Sequence, residues 1–152
     1  MKVQTLQFGE IVIPETSIIT FKKGILGFDE YKKYALIPVD EKGETPFFIL
    51  QCVEQKEISL FLLDTFAFFK GYHIELQDQY VEKLELEKPE DAIILTTVTV
   101  KDQLINATTN LKAPIVINLS KQLGVQVVLD KTDYMLKQPL FRNNEKATVG
   151  EV

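Results

Sequence analysis

The chain is a succession of short apolar runs separated by polar turns, and no other feature constrains its fold as strongly. The runs at residues 47–53, 58–64 and 92–100 are dominated by Val, Ile, Leu, Phe and Thr, which fit the pleated, half-buried surface of a β-sheet. A charged turn, EQKE, separates the first two runs and is typical of a hairpin or meander. Ten Phe and five Tyr, with no Trp, indicate an aromatic interior. The pattern predicts a mainly β protein.

Further strands are predicted by the same criteria, at residues 3–6, 11–13, 17–21, 34–40, 108–111, 114–118 and 125–129. The first two flank Phe8-Gly9-Glu10, which is typical of a tight hairpin. The last two are joined by a polar segment that ends at Gly124. Because glycine adopts positive φ at no steric cost, we expect the chain to turn at Gly124.

Helical periodicity occurs at one place, residues 78–87, where Asp78 can cap the start and apolar residues recur on one face. The length of 152 residues is that of one domain. Residues 134–141 form an amphipathic extended segment, and the residues after them are polar. We predict a single domain over residues 1–141 with one short helix, followed by a disordered tail over residues 142–152.

The charge of the chain limits its partners. The formal net charge is −5, and Arg142 is the only arginine, so the clustered cations that hold phosphate backbones are missing and direct nucleic-acid binding is not expected. Residues 75–91 carry seven acids and two lysines. This segment is either a solvated helix face and loop, or a docking surface for a basic partner that includes Glu82, Glu85 and Glu87.

Residues 66–72, FAFFKGY, are the most aromatic stretch. A surface that stacks nucleotide bases would also need cations, and Lys70 is the only one here. Core packing is therefore the favoured interpretation, with one or two rings left exposed for a partner. The aromatic candidates for such an apolar anchor are Phe66, Phe68, Phe69 and Tyr72.

Gly24 and Gly27 stand three residues apart, a spacing found in phosphate-binding loops. Such a loop also needs a following helix and, in its commonest form, a Lys-Ser/Thr ending, and the sequence shows neither. We interpret the segment as a turn that presents Ile25, Leu26 and Phe28 to the core.

Reactive residues are few. Cys52, the single cysteine, lies inside an apolar run and is expected to be a small core residue; it excludes an internal disulfide. His73 is the single histidine, so an enzyme would have to use it with a serine or Cys52. No metal site or cofactor is predicted.

No apolar run is long enough to span a bilayer and no signal peptide is visible, so neither membrane association nor export is expected, and the expected location is the cytoplasm.

Five motifs resemble the flagellar assembly factors of the FliW family: FKKGILGFDEYKKYALIPVD, PFFILQCVE, LDTFAFFKGYHIELQD, NATTNLKAPIVIN and QVVLD with a closing YMLKQPL. The resemblance runs from about residue 1 to residue 141. Two departures are Asp64-Thr65-Phe66 and Leu76-Gln77-Asp78, where the family pattern has proline at the middle position. In the most specific motif we expect Asn106, Asn110 and Lys112 to fix a turn that feeds the strand at residues 114–118, and secondarily to meet a partner. Pro114 is a further structural or binding residue of this motif.

The resemblance implies a small antiparallel β-barrel-like domain, monomeric and without catalysis. It implies two partners: CsrA, a dimeric RNA-binding translational repressor of flagellin mRNA, and flagellin itself. Free flagellin would sequester the protein and release CsrA. Three alternatives stay open from the residues: a flagellin chaperone that does not bind CsrA, a small-ligand-binding β-barrel, and an enzyme that uses Cys52 or His73.

Overall fold

The structure is a computed structural model that describes residues 1–40, 42–130 and 132–141. The disordered tail predicted at residues 142–152 lies outside these ranges. The described residues form eleven strands and two short helices, with 3-10 turns between some of them. The strands are β1 (Lys2–Thr5), β2 (Gly9–Val12), β3 (Ile18–Thr20), β4 (Lys33–Pro38), β5 (Phe47–Cys52), β6 (Ser59–Asp64), β7 (Ala92–Thr99), β8 (Thr108–Thr109), β9 (Ile115–Asn118), β10 (Leu123–Gln126) and β11 (Gln138–Pro139); the helices are α1 (Thr65–Phe68) and α2 (Asp78–Lys83).

Seven of the strands close a barrel in the order β7-β6-β5-β4-β3-β10-β9, because β9 pairs with β7 again. All of these pairings are antiparallel except the short parallel contact of β10 with β3. Strands β8 and β11 extend the sheet beyond β7, and β1 and β2 form a separate hairpin. The predicted mainly β, barrel-like fold is confirmed.

Alternate residues of the barrel strands form one buried core, as the two-residue period of a strand requires. Leu50 and Cys52 of β5 meet Leu62 of β6 and Ile115 of β9 in this cluster. Within it, the rings of Phe21 and Tyr34 meet edge to face, with centroids 5.4 Å apart. The inside of the barrel is therefore a packed core, and surface side chains are the ones available to a partner.

The outer wall of the barrel is covered in two places. On one side, α1 and the segment around β8 and β11 cover Leu63 and Val98. On another, α2 covers Val116 and Val127 with the fully buried Leu84. These layers decide which side chains of the chain reach solvent.

The helical prediction was partly wrong. The predicted helix ends at Lys83 instead of residue 87, because Glu85 adopts a left-handed conformation with φ of 54°. A second helix, α1, lies in the aromatic stretch; four residues are too few to show a helical period.

The turn predicted at Gly124 was also wrong. Gly124 lies within β10, and the residue with positive φ is Gln122, at 57°. Glycine is needed at position 124 for another reason: a Cβ there would lie 2.4 Å from Cζ of Phe21. The small residue allows β10 to approach the aromatic core.

Candidate partner-binding surface

An acidic surface surrounds α2 and the loop that follows it. Glu82, Glu85 and Glu87 are exposed, and they form no ion pair with residues that the structure describes. Lys83 stands among them with its ammonium 5.6 Å from the centre of the Tyr80 ring. Repulsion from nearby Lys23 lowers the pKa of Lys83. The surface is thus predominantly negative, with cations at one side.

The end of α2 is fixed to the barrel. The N–H of Leu86 donates to the carbonyl of Val81 at 3.1 Å, the closing bond of a Schellman motif, and Glu85 supplies the left-handed residue. Asn118 of β9 donates from Nδ2 to the carbonyl of Leu84 at 2.8 Å. These bonds hold the loop that carries Glu85 and Glu87 in a defined position.

An apolar groove of about 370 Å³ lies beside the acidic surface. Its walls come from the segment before α2, from α2 and its loop, and from β7; they include Ile74, Leu76, Val81, Leu86 and Ile94. Glu87 and Lys88 stand among the lining residues. The groove is not evident from the sequence because its walls are separate in sequence; the alternation of Ile74 and Leu76 is the one available signal.

The aromatic candidates differ in their exposure. Phe66 is 39% exposed, whereas Phe68 and Phe69 pack half-buried against the cluster under α1. Tyr72 is buried, and its hydroxyl donates to the carbonyl of Leu111 at 2.7 Å. The Tyr72 ring lies 4.7 Å from that of Tyr134. Of the four, Phe66 is the ring that a partner can reach most readily.

The residues of the NATTNLKAPIVIN motif act mainly on the backbone. Asn110 accepts hydrogen bonds at Oδ1 from the N–H groups of Lys112 (2.9 Å) and Ala113 (3.1 Å), which closes a turn just before β9. Pro114 is buried, and its carbonyl accepts from Val127 N–H at 2.9 Å. Asn106 is exposed and donates from Nδ2 to Asp102 at 3.2 Å.

Gly24 and Gly27 shape a compact turn with positive φ of 69° and 90°. A Cβ on Gly24 would lie 2.7 Å from the Cα of Asp29, so only glycine fits there. Phe28 is half-buried. The expectation for Leu26 was wrong: Ile25 enters the core, and Leu26 is 60% exposed because the turn directs it outward.

The two candidate reactive residues, Cys52 and His73, lie in different environments. Cys52 is fully buried in β5, and burial raises the pKa of its thiol, which disfavours the thiolate. His73 is exposed, with Nε2 4.0 Å from an Oε atom of Glu75. Across residues 1–40, 42–130 and 132–141, no group of three or more His, Cys, Asp or Glu side chains is arranged to hold a metal ion. The described helices are all too short or too polar to cross a membrane.

The structure defines a small, mainly β domain: a filled barrel with an acidic outer surface and an adjoining apolar groove. The family model described as "FliW protein" matches residues 2–140. The chain therefore belongs to the FliW family.

Relatives and a solved structure agree with this assignment. The chain is 43% identical to the flagellar assembly factor FliW of Natranaerobius thermophilus, over 153 aligned residues and all of both chains. It is 48% identical to that of Clostridium botulinum over 88% of this chain and 93% of the relative. A crystal structure of the flagellar assembly factor FliW is similar with a TM-score of 0.87 and 39% identity, covering 93% of this chain and 98% of the other.

Proposed function

We propose that the chain is a non-catalytic partner switch of flagellar assembly, which binds and antagonises CsrA and is itself sequestered by flagellin. The observation that carries this proposal is the acidic surface beside an apolar groove at α2. An RNA-binding protein offers cations where its RNA lies, and carboxylates complement such a surface. The groove adds apolar area that a purely electrostatic contact lacks. We place the switch in the cytoplasm, where CsrA meets mRNA.

The acidic surface also provides a means of displacing RNA. Glu82, Glu85 and Glu87 are exposed and form no ion pair with described residues, so their charge acts outward. The Debye length at physiological salt is about 8 Å. Repulsion of RNA phosphates therefore requires that these carboxylates lie next to the RNA site of bound CsrA, in addition to any steric exclusion.

A charge-reversal variant tests this mechanism. Release of labelled flagellin-leader RNA from CsrA is measured by fluorescence anisotropy as the chain is added, and CsrA binding is measured separately by calorimetry. The triple variant Glu82→Lys, Glu85→Lys, Glu87→Lys is expected to lose RNA release by more than it loses CsrA affinity. Equal RNA release by the variant and the natural chain would contradict the electrostatic mechanism.

A matched control separates a local effect from a change in net charge. Glu15, Glu44 and Glu57 are also exposed, and their side chains make no hydrogen bond or ion pair with described residues. Reversing these three to Lys changes the net charge by the same amount. We expect this control to release RNA like the natural chain.

Phe66 is the residue we propose as an apolar anchor for one partner, since it is the most exposed ring of the aromatic stretch. Aromatic side chains at interface centres often contribute about 2 kcal/mol or more when truncated. Phe66→Ala should weaken binding of CsrA or of flagellin, whereas Phe8→Ala, at a ring of similar exposure (43% against 39%), should not. Unchanged affinity of Phe66→Ala for both partners would exclude Phe66 as the apolar anchor.

A further inference from the structure

Residues 73–77 form an extended segment that belongs to none of the described strands and helices. Its side chains alternate as in a strand: Ile74 and Leu76 pack into the cluster that α2 covers, and the other side chains are exposed. At one end the Tyr134 hydroxyl accepts from the N–H of His73 at 2.8 Å and donates to the His73 carbonyl at 3.1 Å. At the other end α2 begins. The segment is therefore held in an extended conformation without a neighbouring strand.

The main chain of this segment is open to a partner. The carbonyl of Gln77 accepts from α2, and every other main-chain N–H and carbonyl of residues 74–77 makes no hydrogen bond with the residues that the structure describes. Alternate residues of an extended chain direct these groups to the same edge. Because the His73 groups face Tyr134, those of Glu75 and the N–H of Gln77 lie on that edge too. The edge thus offers two N–H donors and one carbonyl acceptor to an added strand.

A cavity of about 450 Å³ adjoins this edge. Tyr134, which bonds to His73, lines the cavity together with Glu75, so the open edge faces it. Val127 and Leu129 line it as well, and they belong to the apolar cluster that α2 covers. A strand added in the cavity would place one set of alternate side chains against Val127 and Leu129, and the other set beside Glu75.

The charge of the cavity walls defines the second set of side chains. Residues 73–80 and 127–134, which contribute the walls, carry four acids and one lysine. Glu75 and Asp130 are exposed lining residues, and neither makes an ion pair with a lysine or arginine that the structure describes. The complementary charge on an occupant is therefore positive.

We infer that the open edge of residues 73–77 is a docking site for an extended segment of a partner protein in which cationic and apolar residues alternate. The segment adds as a strand, with main-chain bonds to Glu75 and Gln77. Its apolar side chains contact Val127 and Leu129, and its cations lie beside Glu75. The site excludes the three glutamates of the proposed CsrA contact and is tested without CsrA or flagellin, so it does not rest on the partner switch.

The inference is tested with a blocked peptide of about six residues, a typical strand length, in which lysine and valine alternate. Titration into the whole chain, labelled with ¹⁵N, should produce saturable shifts of the amides of Glu75 and Gln77. The same peptide with glutamate in place of lysine should bind at least about tenfold more weakly. Equal binding of the two peptides, or shifts confined to other regions, would overturn the proposal. Concentration-dependent shifts of these amides in the protein alone would also overturn it, because a second copy would then be the occupant.

Two substitutions at one position separate the main-chain bond from the side chain. The φ and ψ of Gln77 are −66° and 146–155°-type extended values that proline adopts, with ψ at 155°, and its N–H makes no bond with described residues. Gln77→Pro removes the N–H, whereas Gln77→Ala keeps it and removes most of the side chain. We expect Gln77→Pro to weaken peptide binding about fivefold and Gln77→Ala less than about twofold. Neither variant should unfold at a lower temperature than the natural chain. Equal binding by the two variants would contradict strand pairing at this edge.

A second pair of variants tests the charge of the site. Glu75→Lys should weaken binding of the lysine peptide about fivefold. Glu57→Lys makes the same change in net charge at another exposed residue and should alter binding less than about twofold. Unaltered binding by Glu75→Lys, or equal losses for the two variants, would contradict the assigned position of the cations.

Discussion

Asn118 and Leu84 join the barrel to the acidic surface: Nδ2 of Asn118, on β9, donates to the carbonyl oxygen of Leu84 at 2.8 Å. Both residues are buried, so no water competes for this bond. Leu84 is the residue at the C-terminal end of α2, where the carbonyl groups lack an N–H donor within the helix. One side chain of the barrel therefore sets the position of the loop that carries Glu85 and Glu87.

Removing this bond should loosen the loop and destabilise the fold. Asn118→Ala leaves a buried carbonyl without its donor, and we expect the free energy of unfolding to fall by about 1–3 kcal/mol. Urea unfolding measures the loss, and hydrogen exchange should quicken at residues 84–87. Asn106→Ala is the control, because Asn106 is exposed, and should cost less than about 0.5 kcal/mol. Similar losses for the two variants would contradict this role of Asn118.

Gly124 should tolerate no side chain. Its added Cβ would lie 2.4 Å from Cζ of Phe21, and Phe21 is fully buried against Tyr34. We expect Gly124→Ala to lower the free energy of unfolding by about 1–3 kcal/mol through overpacking. Thermal unfolding of both variants measures the change. A Cβ added at Gly71 would meet no heavy atom within 4 Å, so Gly71→Ala should be neutral or slightly stabilising. A neutral Gly124→Ala would show that β10 can move away from the core.

Tyr34 carries a hydroxyl into the barrel core, where it has no hydrogen-bond partner among the described residues. Since an unpaired buried polar group costs about 1–3 kcal/mol, we expect Tyr34→Phe to raise the free energy of unfolding by about 1 kcal/mol at pH 7. Denaturant unfolding at constant pH measures the change. A loss of stability would mean that the hydroxyl contributes an interaction in the folded state.

The same substitution should change alkaline stability. Burial raises the pKa of Tyr34 to about 12, above the value of about 10 for an unfolded tyrosine. The folded state therefore holds this proton more tightly, and the associated stability is complete below pH 10 and is lost as the pH rises from 10 to 12. Tyr34→Phe should lose less stability across that window than the natural chain. If the free energy of unfolding fell equally steeply with pH in the two proteins, a pKa of about 12 for Tyr34 would be contradicted.

The sequence predicted most of the strands because their signal is local. Runs such as the one at β7 are β-branched and alternate, and the hairpins between β4, β5 and β6 need only short turns. Closure of the barrel through β7 and β9 was not predictable from these residues, since the pairing joins segments with other elements between them. The barrel was predicted instead from the family resemblance.

Two further differences between the predictions and the structure also arise from contacts between residues that are distant in sequence. Gly124 was interpreted by its freedom of φ, but its role depends on Phe21, far away in sequence. Tyr72 was one of four rings considered as an anchor; it is buried, with its hydroxyl bonded to the carbonyl of Leu111 and its ring against that of Tyr134. The acidic character around α2 could be predicted from the composition of the segment, whereas the groove beside it could be found only once the fold was known.

The central claim is the partner switch, and one competition experiment tests it most directly. The chain is mixed with CsrA and fluorescent flagellin-leader RNA until RNA binding is suppressed, and purified flagellin is then titrated in while anisotropy is followed. The account predicts that the chain first releases RNA from CsrA and that flagellin restores RNA binding as it removes the chain from CsrA. If the chain never releases RNA, or if saturating flagellin leaves the suppression unchanged, the proposed switch is contradicted.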